Sequence, residues 1–266
     1  AVAMQIAALR SFAAELNARG VETEVLAAET LQSALTELQV RHRPEGITLM
    51  DPAQPQDRAE VEAWGSTSGL SVTIAENALW LTTRDEWAAF RTGRKELRME
   101  FWYRRVRGAR GWLMEEGDAS KPLGGTWNLD QENREPLAVG TAVPHFPKRS
   151  APTIVAEVLQ ELQSEGQELF GSAEEFRWPV TRSDALDELE DFCRHRLANF
   201  GPFEDAMSRE HDHLFHSPLS TSLRISLARA RISCRTGSAR PAHARTCVAI
   251  LGLRANRSEW RSMKSQ

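Results

Sequence analysis

The sequence predicts an α/β domain followed by a helical one, and three observations carry that reading. Apolar residues recur at helical and then at strand spacing in regular alternation, α-β-α-β-α-β, as far as residue 76. Beyond residue 152 helical spacing dominates. Between these regions lies a long segment dense in Trp, Arg, Gly and Asn that follows neither period. Strands that alternate with helices form a parallel sheet with helices on both faces, because each parallel pair needs a crossover.

In chain order, Ala3, Ile6, Ala7, Leu9, Phe12, Ala13 and Leu16 mark a first helix that Gly20 can stop. Residues 21–26 alternate apolar and polar and read as a strand. Thr30 is the expected cap of a helix over 31–40. Residues 47–50 are a short apolar run ending at Asp51-Pro52, again a strand; 59–64 read as helix and 70–74 as strand. A short helical piece is expected over 87–90. Further on, Ile154, Val155, Val158, Leu159 and Leu162 mark an amphipathic helix. Ser183 or Asp184 caps another, whose apolar face carries Leu186, Leu189, Phe192, Cys193, Leu197 and Phe200.

The aperiodic segment spans residues 99–136, MEFWYRRVRGARGWLMEEGDASKPLGGTWNLDQENREP. It reads as neither helix nor strand. Loop backbone must find hydrogen-bond partners without a ladder, so a long ordered loop is usually functional. Its aromatic content argues against disorder. Gly124-Gly125 is a sharp turn, since no phosphate-loop pattern surrounds it. Asn128, Asp130 and Asn133 are expected to be local turn and capping residues.

Composition narrows the function classes. At 266 residues, 41% hydrophobic and 26% charged, the chain has the make-up of a soluble globular protein of one large or two modest domains. No apolar run approaches the ~20 residues of a membrane span, and no basic start precedes the apolar part of residues 1–16. A cytoplasmic location is expected. Cys193, Cys234 and Cys247 show no metal spacing and read as thiols of a reducing compartment.

Charge is divided sharply. Residues 229–266 hold nine basic residues against Glu259, whereas the preceding residues hold 24 basic and 36 acidic ones, a net of −12. Such a tail suits nucleic acid, since cations that neutralise phosphates release counterions. Its lack of any period favours a shifted reading frame over a genuine basic extension.

Several groups are candidates for chemistry. From Arg84 to Arg110, nine Lys or Arg face four acids and interleave with Trp87, Phe90, Phe101, Trp102 and Tyr103. Cations beside aromatic faces suit a DNA backbone and unpaired bases, and equally a solvated face with cation–π contacts. His211, His213 and His216 have a spacing open to a metal, but no further ligand stands nearby, so surface-loop histidines are expected. Ser217 and Ser220, in HSPLS, read as helix caps when taken alone, and Phe203 as core.

Three blocks carry a resemblance. MEFWYRR, the turn at Leu113-Met114 and KPLGGTWNLDQENR form the first; NFG with Asp205-Ala206-Met207 forms the second; HSPLS forms the third. Their order and content over about residues 1–227 resemble the iron–sulfur bacterial cryptochrome and (6-4) photolyase family, the deoxyribodipyrimidine photolyase-related proteins. The resemblance implies a Rossmann-like parallel-sheet antenna domain over 1–90, N-terminally incomplete. An interdomain linker over 91–151 follows, then the start of an all-helical flavin-binding domain over 152–228, and an aberrant Arg-rich tail over 229–266.

The resemblance also implies a function. Excited, reduced FAD would pass an electron to a flipped-out pyrimidine photoproduct in DNA, with the protein supplying position and electrostatics. Ser217, Leu219, Ser220 and Thr221 would take the element that holds the flavin phosphates, and Phe203 would pack near the flavin. In that setting the basic stretch serves domain docking or DNA contact. An antenna ribolumazine and a 4Fe-4S cluster belong to the family, but the cluster ligands are absent and most of the antenna pocket is missing. Gln5 stands where a relative has an apolar contact to the chromophore. The chain is therefore expected to be a truncated fragment that holds FAD poorly and repairs nothing. The rival reading is a non-enzymatic nucleic-acid-binding or signalling module using the α/β domain and the basic tail; a nucleotide-binding enzyme has only the sheet in its favour.

Overall fold

The computed structural model describes residues 1–128, 131–166 and 176–228. Asp130, Cys234, Cys247 and the Arg-rich tail lie outside the described residues. The chain is mixed α/β and mostly helical, and it divides into two compact units, Ala13–Thr92 and the remainder. Helix α1 (Val2–Ala18) crosses that division.

In the smaller unit, α2 (Leu31–His42) begins at Thr30, as expected. Thr30 Oγ1 accepts from the Ser33 N–H at 3.0 Å, and Ser33 Oγ accepts from the Thr30 N–H at 3.1 Å. Strand β1 (Gly46–Met50), helix α3 (Pro55–Ser68) and strand β2 (Ser71–Ala75) form one parallel β-α-β unit, with Gly46 opposite Ser71 and Met50 opposite Ala75. Gly65 allows the close approach of α3: a Cβ there would stand 2.9 Å from Val72 Cγ2. Leu35, Val61 and Trp64 form the core, with Ile47, Leu49, Val72 and Ile74 packed on it. Helix α4 (Arg84–Arg91) closes the unit under a capping box from Thr83.

Two expectations for this unit fail. Residues 21–26 join no ladder. The Asn17 side-chain amide takes both backbone groups of Thr23, at 2.9 Å each, in the manner of a neighbouring strand. Helices on both sheet faces are likewise not seen in this unit. Along β1 and β2 half-buried residues alternate with exposed ones, so one face is covered and Thr48, Met50, Ser71 and Thr73 face outward.

The other unit contains α5 (Met99–Arg110), the antiparallel pair β3 (Met114–Glu115) and β4 (Asp118–Pro122), and a 3₁₀ turn over Leu123–Gly125. The expected aperiodic segment thus begins with three turns of helix. Its buried position is Arg107, 7% exposed, which an apolar-period test cannot register. Gly124 and Gly125 have φ of 76° and 78°, the left-handed turn that favours glycine.

Helices α6 (Thr153–Ser164), α7 (Arg182–His195), α8 (Leu197–Phe200) and α9 (Ser220–Arg224) follow. One core joins Ala3, Met4, Ala7 and Ala8 of α1 to Val155, Val158, Val180, Ala185 and Leu227. Leu9 and Phe12, expected on that stripe, are exposed. A second core holds Leu189, Phe192, Leu219 and Ala228. The cap of α7 is Thr181 rather than Ser183 or Asp184: the helix starts earlier, and Thr181 Oγ1 accepts from the Asp184 N–H at 3.1 Å. Cys193, expected on the apolar face, is exposed because the buried stripe runs through Ala185, Glu188, Leu189, Phe192 and Arg196. Among the described residues no helix is long and apolar enough to cross a membrane.

Candidate functional site

The site begins with a pairing between distant segments. Residues 133–135 lie against 202–205: Asp205 N–H donates to Asn133 O at 3.0 Å and Glu135 N–H donates to Pro202 O at 2.9 Å. Asn133 Nδ2 donates to Glu204 Oε2 at 3.1 Å, and Arg134 pairs with Asp205 at 2.9 Å. Asn133 is 6% exposed, so it is not the local turn residue the sequence suggests. Its pairing brings ENR of the first sequence block onto PFED beside the second.

Phe203, within that strip, packs on Phe215 with ring centroids 5.3 Å apart. Phe215 is buried and directly precedes HSPLS. Of the residues expected to face a ligand, Ser217 and Thr221 are half-buried and Ser220 is exposed. The Leu219 side chain is in the second core, 1% exposed. Neither Ser217 nor Ser220 caps α9. The cap position is Leu219, with no side-chain hydrogen bond, because the helix begins at Ser220 itself and Ser217 lies two residues before the cap. Thr221 Oγ1 donates weakly to Pro218 O at 3.4 Å. Two buried polar atoms lie in the same stretch with no partner, His216 Nε2 and Ser222 Oγ. An uncapped helix start beside free hydroxyls can accept an oxyanion.

The basic-aromatic stretch is largely committed to holding structure. Arg84 and Arg58 clamp Asp51 at 2.6 and 2.9 Å at the end of β1. Desolvation raises the Asp51 carboxyl, but the Arg84 and Arg58 hydrogen bonds outweigh it and hold it below the usual range. Arg98 pairs with Glu96 and Arg104 with Glu100. Arg107 donates to Leu113 O at 2.6 Å and Trp112 O at 3.2 Å, and its guanidinium stacks on Trp127 and Tyr103. Trp127 also lies under Arg104, 5.3 Å from its ring.

His211, His213 and His216 lie outside helices and strands, as expected, and are half-buried. His213 packs on Phe146 at 4.3 Å and its Nε2 contacts Pro144 O at 3.2 Å. Burial lowers its pKa, reinforced by His145, Arg196 and Arg177 and opposed by the Pro144 contact. Among the described residues no group of three metal-ligating side chains forms. Periodicity missed a polar cluster nearby. Arg196 is fully buried, pairs with Asp191 and stands over Phe146. Glu188 is 2% exposed, and burial pushes its carboxyl up to about 7 against the pull of Arg149, Arg177 and Arg196. Polar side chains at core positions are the signal that an apolar pattern discards.

Residues 1–178 match the deoxyribodipyrimidine photo-lyase-related proteins. The chain belongs to that family. It is also 31% identical over 240 residues to a (6-4) photolyase of Agrobacterium fabrum (strain C58 / ATCC 33970), an alignment covering 88% of this chain and 47% of that protein. The chain therefore spans about half the length of this curated relative.

The groups associated with photolyase-related proteins fit these residues unequally. The hydroxyls of Ser217, Ser220 and Thr221, the uncapped start of α9 and the orphaned His216 Nε2 and Ser222 Oγ suit phosphate oxygens. A four-iron cluster does not fit the described residues, which contain a single cysteine, Cys193. The hollow at the carboxyl ends of β1 and β2 holds about 230 Å³, and Asp51 and Arg84 in its wall bind each other.

Proposed function

We propose that this chain is part of a photolyase-related flavoprotein that repairs pyrimidine photoproducts in DNA by light-driven electron transfer from FAD. FAD supplies the photoexcited electron when bound. The observation that carries the reading is the strip of residues 133–135 on 202–205, which holds Phe203 against Phe215 at the entrance to HSPLS. Ser217, Ser220 and Thr221 would hold the flavin phosphates, and Phe203 would pack near the flavin. Leu219 would act through its backbone, since its side chain is in the core. The division proposed is a Rossmann-like antenna domain over 1–90, a linker over 91–151 and the start of the helical flavin domain over 152–228.

About half of the (6-4) photolyase has no counterpart in these residues. The 266 residues alone are therefore expected to hold FAD weakly and to repair nothing. The test titrates the purified chain with FAD, following flavin fluorescence, and then illuminates it with an oligonucleotide carrying one photoproduct. Weak binding that Ser220→Ala and Thr221→Val weaken further supports the reading. Binding untouched by these variants overturns the phosphate assignment, and light-dependent repair by the chain alone overturns its inactivity.

A further inference from the structure

None of the residues expected to hold FAD lines an open hollow of about 790 Å³ in the helical unit. Its walls come from residues 145–151 and 176–177, with Asp212 and His213 at one side. Lys148, Arg149 and Arg177 line it, and among the described residues Asp212 is the one acid in the lining. Such a volume lies within the range of small-molecule sites.

Of the three cations Arg149 is paired with Asp184, while Arg177 and Lys148 form no ion pair among the described residues. Arg177 stacks between Phe146 and Trp178, its guanidinium carbon 4.4 and 4.6 Å from the ring centroids. That stacking fixes its orientation and leaves its N–H edges available. Arg149 reaches Asp184 at 3.4 Å, but its Nε is buried without an acceptor. A buried guanidinium N–H in that condition is costly unless something from outside accepts from it. Buried Glu188 also interacts with Arg149 and Arg177, and burial pushes its carboxyl up to about 7.

We propose that this cavity binds a phosphate-bearing small molecule, its phosphoryl oxygens on Arg149, Arg177 and Lys148 and its body against Phe176. One carboxylate would satisfy one guanidinium, whereas three cations from two chain segments call for several oxygens of one multivalent anion. Phosphate alone would fill a small part of the volume. Nucleotides and free polyphosphates share the required chemistry, and their sizes separate them. The site is independent of the flavin reading.

The test titrates the full chain with pyrophosphate and, separately, with ADP by isothermal calorimetry at low salt. Saturable one-to-one binding of either is expected, weakened at least about tenfold by Arg177→Gln and less by Lys148→Gln. Lys148 is exposed, so its variant reports binding even if Arg177→Gln perturbs folding. Tighter binding of ADP identifies a nucleotide, and equal or tighter binding of pyrophosphate identifies a polyphosphate. No saturable binding of either up to about 10 mM overturns the proposal. So does an equal loss on Arg19→Gln, a cation outside the cavity, which would mark the binding as non-specific attraction.

Discussion

Asn133 and Glu204 stand 71 positions apart and meet through one hydrogen bond, Nδ2 to Oε2 at 3.1 Å. Around it the backbones of 133–135 and 202–205 exchange two more. Asn133→Ala leaves the Glu204 carboxylate without this donor and opens a small void. Chemical denaturation should show a loss of ~1–2 kcal/mol. Arg134→Ala should cost well under ~1 kcal/mol, since an exposed ion pair is screened by solvent. An equal cost for both would mean that burial does not decide the strength of the strip.

Glu188 gives the helical unit a pH dependence. In the unfolded chain its carboxyl titrates near 4.5, while in the folded protein burial raises it to about 7 against Arg149, Arg177 and Arg196, with Asp191 adding to the rise. The folded state thus binds more protons between those values. Stability is highest at the acid side of this window, falls as pH rises through it, and levels off above about 7, a total of about 3 kcal/mol from this group. Glu188→Gln should flatten the fall. Denaturant midpoints at pH 5 and pH 8 check it: the variant gains on the wild type at pH 8 and not at pH 5.

Asp51 ties the end of β1 to α3 and α4 through two arginines, and its backbone carbonyl accepts from Asn77 Nδ2 at 2.8 Å. Asp51→Ala leaves Arg58 and Arg84 facing each other without the carboxylate. A loss of ~2 kcal/mol is expected. Hydrogen exchange should localise it, with faster exchange at the Asp51 N–H, which donates to Ala75 O at 2.7 Å.

Arg107→Lys tests whether the first sequence block serves structure. Lysine keeps the charge but cannot serve Leu113 O, Trp112 O and two aromatic faces together. A loss of ~2 kcal/mol is expected. Exchange should accelerate at the Leu123 N–H, which donates to Leu113 O at 2.7 Å. An unchanged amide there would mean that Arg107 does not hold the hairpin.

Legibility in the sequence followed the kind of side chain at each buried position. β1, β2, α3 and α6 put Val, Ile, Leu and Trp there, so their periods were readable. α5 buries Arg107, and α7 buries Glu188 and leads to buried Arg196; there the apolar pattern fails, and Cys193 was drawn onto the wrong face. Residues 21–26 have a strand's pattern, but a ladder also needs a neighbour, and pattern alone does not supply one. The three blocks were visible as words, yet the pairing of Asn133 with Glu204 is a long-range contact with no local signature. The cavity beside Arg177 left no trace, since its cations look like surface charge in one dimension.

The strip of 133–135 on 202–205 also has a meaning in time. A ribosome adding ~5–20 residues per second reaches Asp205 roughly 4 to 14 s after it has made Arg134. Throughout that interval the Asn133 amide must make do with water, and α6 and α7 are synthesised before its partner exists. The order of synthesis therefore lets α6 and α7 form before this clip can close.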